Sequence, residues 1–144
     1  MIQYTSKTNK MKEQEKTGIW LDFDKAYIIE LTAKTEKIKR IDSNIEHFHP
    51  SGGYGSKTAY KSQDSISEST LLARKKQQQK DFFSDIAQSL KPKSELVIFG
   101  PAEAKFKLKQ ALETHINFRK NNIPVEAAEK LSENQMKAWV RDYF

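Results

Sequence analysis

The 144-residue chain has no cysteine, which excludes disulfides, a thiol nucleophile and a cysteine-ligated zinc site. No run approaches the roughly 20 apolar residues that a membrane span needs, so no membrane partner is expected. The opening MIQYTSKTNKMKEQEK has no apolar stretch of the kind found in a secretory signal. A cytoplasmic location is the expectation. There are only three histidines. His47 and His49 share a strand face by their spacing, but only His115 is left as a third ligand, and no metal site is expected. No serine stands in a nucleophile elbow, and Gly52–Lys57 lacks the spacing of a P-loop. No cofactor is expected.

Glycine and proline are also sparse, at five and four residues. Three of the five glycines nevertheless fall within four positions, Gly52-Gly53-Tyr54-Gly55. Glycines permit positive φ and close approach of backbone to a ligand. A disordered surface loop with incidental lysines is the plain alternative. What is abundant is positive charge. Formal net charge is +6, the isoelectric point is about 9.4 and the mean hydropathy is −0.78. Lys57 and Lys61 follow the glycines without an acid between them. Arg74, Lys75, Lys76 and Lys80 form a second acid-free run, broken only by glutamines. A basic cluster suits a phosphate backbone, and an exposed Tyr54 suits base stacking. A solvated helix face accounts for the charge run equally well.

The pattern predicts a flexible tail over residues 1–16 and one domain over 17–144, with a flexible glycine-rich loop at 49–64. Ile19, Leu21 and Phe23 alternate with Trp20, Asp22 and Asp24 as a first strand. Tyr27, Ile29 and Leu31 mark a second strand, and Lys37–Asp42 a more polar third that runs on through Ile45 to Phe48. Ser65 and Glu68 have the spacing of a capping box, predicting a helix from Ser65 to about Leu90. Leu72, Phe82, Phe83, Ile86, Ala87 and Leu90 form its core stripe. Nothing apolar lies between Ala73 and Asp81, so the first half of this helix is expected to project. Glu95–Phe99 reads as a short apolar strand buried on both faces. Pro101 suits a helix start, with Ala104, Leu108, Ala111, Leu112 and Ile116 inward and Lys105, Lys109 and Glu113 outward. Ile123-Pro124-Val125 is a weak strand. Ser132 opens a last helix with Met136, Trp139, Val140 and Tyr143 on one face.

The order β-β-β-α-β-α-β-α implies an α/β protein with a mixed five-stranded, ribonuclease H-like sheet. Fold does not carry function with it. Nucleases of that fold gather several carboxylates around two metal ions. Asp22, Asp24 and Glu68 are in suggestive places, but the strand ending at Phe99 brings no acid until Glu103. The set is incomplete, and a metal-dependent nuclease is the least favoured reading.

Gly52-Gly53, the basic helix with Arg74, Lys75 and Lys76, and the junction Val97-Ile98-Phe99-Gly100-Pro101-Ala102-Glu103-Ala104-Lys105 together resemble a known pattern. It is that of the middle domain of archaeal and eukaryotic class I peptide release factors, in which a Gly-Gly-Gln tip precedes an Arg-rich helix. The chain is similar also to small stand-alone bacterial relatives of that domain, grouped with translational machinery components. The resemblance spans roughly 17–144. It implies a ribosome or tRNA partner, with Gly52, Gly53, Tyr54, Lys57, Lys61, Arg74, Lys75 and Lys76 facing RNA. Tyr54 stands where the family has its catalytic glutamine. A tyrosine retains the backbone amide but not the carboxamide, so binding is expected ahead of catalysis. Peptidyl-tRNA hydrolysis without the glutamine, and a protein partner bound through the 49–64 loop, are the alternatives.

Overall fold

The computed structural model describes residues 15–45, 61–119 and 121–144, with backbone alone over 61–67. In chain order the elements are β1 (Lys16–Leu21), β2 (Lys25–Leu31), β3 (Glu36–Asp42), α1 (Lys61–Gln88), β4 (Glu95–Gly100), α2 (Ala104–Glu113), β5 (Val125–Ala127) and α3 (Glu133–Tyr143). The five strands form one mixed sheet, ordered β3-β2-β1-β4-β5. β1 runs antiparallel to β2 and parallel to β4, and β5 is parallel to β4. This is the expected α/β architecture, with a strand order consistent with a ribonuclease H-like arrangement.

Side-chain chemistry closes the two hairpins. Asp22 Oδ1 accepts hydrogen bonds from the main-chain N–H of Asp24 (2.8 Å) and Lys25 (2.9 Å), an Asx-type turn that frees no carboxylate for other work. Thr32 Oγ1 accepts from Thr35 N (2.9 Å) in the second turn. β3 ends at Asp42, short of the expected Phe48. Asn44 adopts φ 56°, a left-handed conformation that Asn tolerates and a strand does not. Ile45 still turns into the core.

β1 does not alternate inward and outward as its pattern suggests. It lies at the centre of the sheet with a layer on each side. Ile19 and Leu21 join Ala26, Ile28 and Ile98 beneath α1 and α2, packed against Phe82, Ile86, Leu108 and Leu112. Trp20 joins Tyr27, Ile29 and Phe99 on the other face beneath Met136 and Val140 of α3. Both parities are apolar because both faces are covered. Trp20 Nε1 finds the Glu129 carbonyl at 3.1 Å, which satisfies its one polar atom.

A glycine at the middle of β1 lets α3 settle. A Cβ on Gly18 would fall on a Val140 methyl and stand 3.2 Å from the Phe99 ring. The contact leaves no room for a side chain. At the end of β4, Gly100 passes so close to the Leu21 carbonyl that a Cβ would collide with it.

The helix boundaries differ from expectation in ways the backbone explains. The described part of α1 already begins at Lys61, so Ser65 and Glu68 lie within the helix and are not its cap. α2 starts at Ala104, because Pro101–Glu103 form a turn and Glu103 occupies the N-cap without a side-chain cap bond. Ile116 lies beyond α2 and is 72% exposed. Lys105, expected outside, is only 6% exposed. Its stem is buried while its Nζ donates to the Ala102 carbonyl at 2.6 Å and lies over the Phe106 ring. A long lysine can cover apolar surface and still satisfy its head group. α3 opens on the expected Ser132, with Gln135 completing a reciprocal capping box.

Candidate nucleic-acid interface

α1 is 28 residues long, and its two halves have opposite surroundings. Phe82, Phe83, Ile86 and Ala87 are buried in the core beneath the sheet. From Glu68 to Asp81 no side chain is buried. That stretch covers about 21 Å of helix at 1.5 Å per residue. Leu72, predicted as the first residue of the core stripe, is 58% exposed, because among the described residues no element reaches its level of the helix. The predicted two turns with nothing to bury are present, and the unpacked stretch extends further toward the N-terminus than the composition indicated.

The cations stand on this unpacked stretch. Arg74 and Lys76 are exposed and Lys75 is half-buried. Successive residues are about 100° apart around a helix, so these three fan over more than half of its circumference. Lys80, four residues after Lys76, continues one arm of the fan and is exposed. It belongs with the expected site residues, and its spacing from Lys76 is the signal that identifies it.

Several basic residues of the body are occupied, although Lys34, Lys37, Lys107, Arg119, Lys130 and Lys137 make no ion pair among the described residues. Lys25 pairs with Asp22 (3.6 Å), Arg40 with Asp42 (2.8 Å) and Lys91 with Glu15 (2.7 Å), and Arg141 pairs with Glu36. Asp42 holds the Arg40 guanidinium above its ordinary value, and the Glu15 hydrogen bond does the same for the Lys91 ammonium. Lys109 Nζ donates to the Ile123 carbonyl at 3.0 Å. By contrast Lys75, Lys76 and Lys80 make no ion pair among the described residues. Unneutralised cations on a rod with no packing role leave their full charge for an external anion.

Lys61 is placed as backbone only, in the first described turn of α1. Gly52, Gly53, Tyr54 and Lys57 lie outside the described residues, as do His47 and His49. The structure therefore brings together Arg74, Lys75, Lys76 and Lys80. Among the described residues no group of three or more His, Asp or Glu is arranged to hold a metal ion. Asp22 is committed to its turn, and His115 Nδ1 accepts from the main-chain N–H of Asn117 at 3.1 Å. No helix among the described residues is long and apolar enough to cross a membrane.

No protein-family model matches the chain, and no curated protein matches it. A solved structure of the archaeal translation termination factor aRF1 is similar to it, with a TM-score of 0.53 and 14% sequence identity. The match covers 96% of this chain and 42% of that one, so the chain spans less than half of the factor's length. At such identity the likeness shows a shared fold, and the fold is that of part of a translation termination factor.

Proposed function

We propose that the protein is an RNA-binding component that works with the translation machinery, docking on ribosomal RNA or tRNA. On this reading residues 17–144 correspond to the middle domain of class I release factors. Gly52-Gly53-Tyr54 and Lys57 form the tip that meets RNA, and Lys61 with the unpacked stretch of α1 anchors it. The observation that carries the proposal is the stretch Ser69–Lys80, which is unburied, without an acid, and bears four cations. The fold shared with aRF1 supports translation as the setting. Tyr54 in place of the family's glutamine favours binding over peptidyl-tRNA hydrolysis, since a phenol cannot do the work of a carboxamide.

The test is co-sedimentation with ribosomes, and tRNA binding, across a salt series. A triple variant Arg74→Gln, Lys75→Gln, Lys76→Gln keeps good helix formers while removing three charges. Binding is expected to weaken steeply with salt, and the triple variant is expected to flatten the log–log salt slope by about 2, at roughly 0.7–0.9 per lost phosphate contact. Protein that stays at the top of a low-salt gradient, or binding that survives nuclease treatment, overturns the reading. A release assay on charged ribosomes checks the catalytic side. No peptide release is expected from the native chain, and release abolished by Gly53→Ala would make it a hydrolase.

A further inference from the structure

At the opposite end of the sheet from the cationic stretch, the N-terminal end of β4 borders an open cavity of about 480 Å³. Its walls come from three places in the chain: Lys93 and Glu95 on the turn into β4, Asn121 and Asn122 ahead of β5, and Tyr143 and Phe144 at the end of α3. This is within the usual size range of small-molecule sites, roughly 300–1,000 Å³.

Tyr143 is held in place before any ligand arrives. Phe99, fully buried, stacks on Trp139 with ring centres 3.9 Å apart and planes within 2°. Trp139 stacks in turn on Tyr143 at 5.4 Å and 6°, and Phe144 stands edge-on to Tyr143. This ladder leads from the core to a ring that is still 37% exposed where it lines the cavity. An immobilised aromatic ring with surface to spare offers stacking at small entropic cost.

The polar groups around it define the partner's chemistry. Asn121 is fixed by its main-chain N–H on the Phe118 carbonyl (2.9 Å), with its Nδ2 toward the Pro92 carbonyl (3.4 Å). Its Oδ1 accepts no hydrogen bond among the described residues. Asn122 and Glu95 are exposed beside it. Ser94 cannot serve as a donor there, since its hydroxyl donates to the Lys91 carbonyl at 2.7 Å. Carboxamides pair with the amino and ring-nitrogen edge of adenine, and a carboxylate accepts from an exocyclic amino group. Lys93 lines the cavity, and the Lys16 ammonium lies 5.9 Å from the ring of Phe144, another lining residue.

We propose that this cavity binds an adenine nucleotide, its base stacked on Tyr143 and its amino edge read by Asn121, Asn122 and Glu95. The nucleotide is either free or one unpaired residue of an RNA strand, which present the same chemistry. The site does not depend on the docking role of α1, because the buried stretch from Phe82 to Leu90 separates the two.

The test is amide-resolved NMR on the whole chain, titrated with AMP, UMP, inorganic phosphate, oligo(A) and oligo(U). AMP and oligo(A) are expected to shift the side-chain amides of Asn121 and Asn122 and the main-chain amide of Tyr143, with UMP and phosphate about tenfold weaker. Saturation by oligo(A) well below the AMP concentration identifies an RNA strand as the source, and equal saturation a free nucleotide. Tyr143→Leu is expected to weaken AMP binding about tenfold. The surface change Asn122→Ala is expected to erase the preference for AMP over UMP without disturbing the fold. Absence of shifts with AMP and oligo(A), or equal shifts with AMP, UMP and phosphate, overturns the proposal. The Gln triple variant of α1 is expected to keep the AMP response, so failure of RNA docking and failure of this site are read separately.

Discussion

Between Glu68 and Asp81, α1 buries no side chain, whereas its last seven residues supply Phe82, Phe83, Ile86 and Ala87 to the core. Both stretches are helical, for different reasons. The second is held by burial of an apolar stripe against the sheet and α2. The first holds, from Ala73 to Lys80, a run of alanine, arginine, lysine and glutamine, among the strongest helix formers. Starting a helix is costly and extending one is cheap, so the packed half can serve as nucleus for an unpacked continuation. The contrast shows how a small protein can present long cationic side chains on an ordered rod without spending core residues on it.

The largest test of this contrast is a pair of truncations. Phe82→Ala is expected to cost about 3–5 kcal/mol in unfolding free energy, the usual range for a buried phenylalanine. Leu72→Ala, ten residues earlier, is expected to stay within about 0.5 kcal/mol. A comparable loss at Leu72 would mean that the first half is packed after all. Urea denaturation with constant m-values decides between them.

A finer test compares two glycine substitutions. Ala87→Gly removes a buried methyl and adds backbone freedom, and is expected to cost about 1–2 kcal/mol. Ala73→Gly adds the same freedom where nothing depends on it. It is expected to lower helical circular dichroism while leaving the urea midpoint nearly unchanged. Hydrogen exchange gives a third view without substitution, because amides of residues 72–80 are expected to exchange by local fraying, well before those of residues 83–88.

The smallest effect concerns the join between α1 and β4. Hydrogen bonding to Glu15 raises the Lys91 pKa. A folded-state value above the unfolded one stabilises fully below lysine's ordinary 10.5 and is lost as pH rises through the folded value. Lys91 faces solvent, so the effect is small. Melting temperatures of the native chain and Lys91→Gln are expected to converge once the pH has risen above that folded value. A difference that persists there would assign the effect to packing of the lysine stem.

Much of this contrast was legible in the sequence, and where reading failed the reason is physical. The absence of apolar residues between Ala73 and Asp81 announced an unpacked stretch. Leu72 was misplaced because helical spacing says which residues share a face, and Leu72 does share one with the phenylalanines. Whether anything meets that face at its level depends on where the sheet stops. Lys105 failed in the opposite direction, since its charge predicts exposure but its stem fills a gap beside Phe106. In the candidate site, clustering of Arg74, Lys75 and Lys76 was visible along the chain. That cations elsewhere, such as Lys91 and Arg141, are already paired was not, because their partners Glu15 and Glu36 come from distant sequence.

Local chemistry alone determined the order of elements, the doubly buried β4, the Ser132 cap and the acid-free cationic run. Each depends on residues within one or two turns of one another, and such interactions are encoded in spacing. Tertiary structure decided the rest. It placed β1 between β2 and β4 with both faces covered, required glycine at position 18 so that α3 could descend onto Phe99, and brought Asn121, Lys93 and Tyr143 around one cavity. These depend on surfaces meeting across long separations in the chain, and a periodicity cannot specify the surface that will lie opposite it.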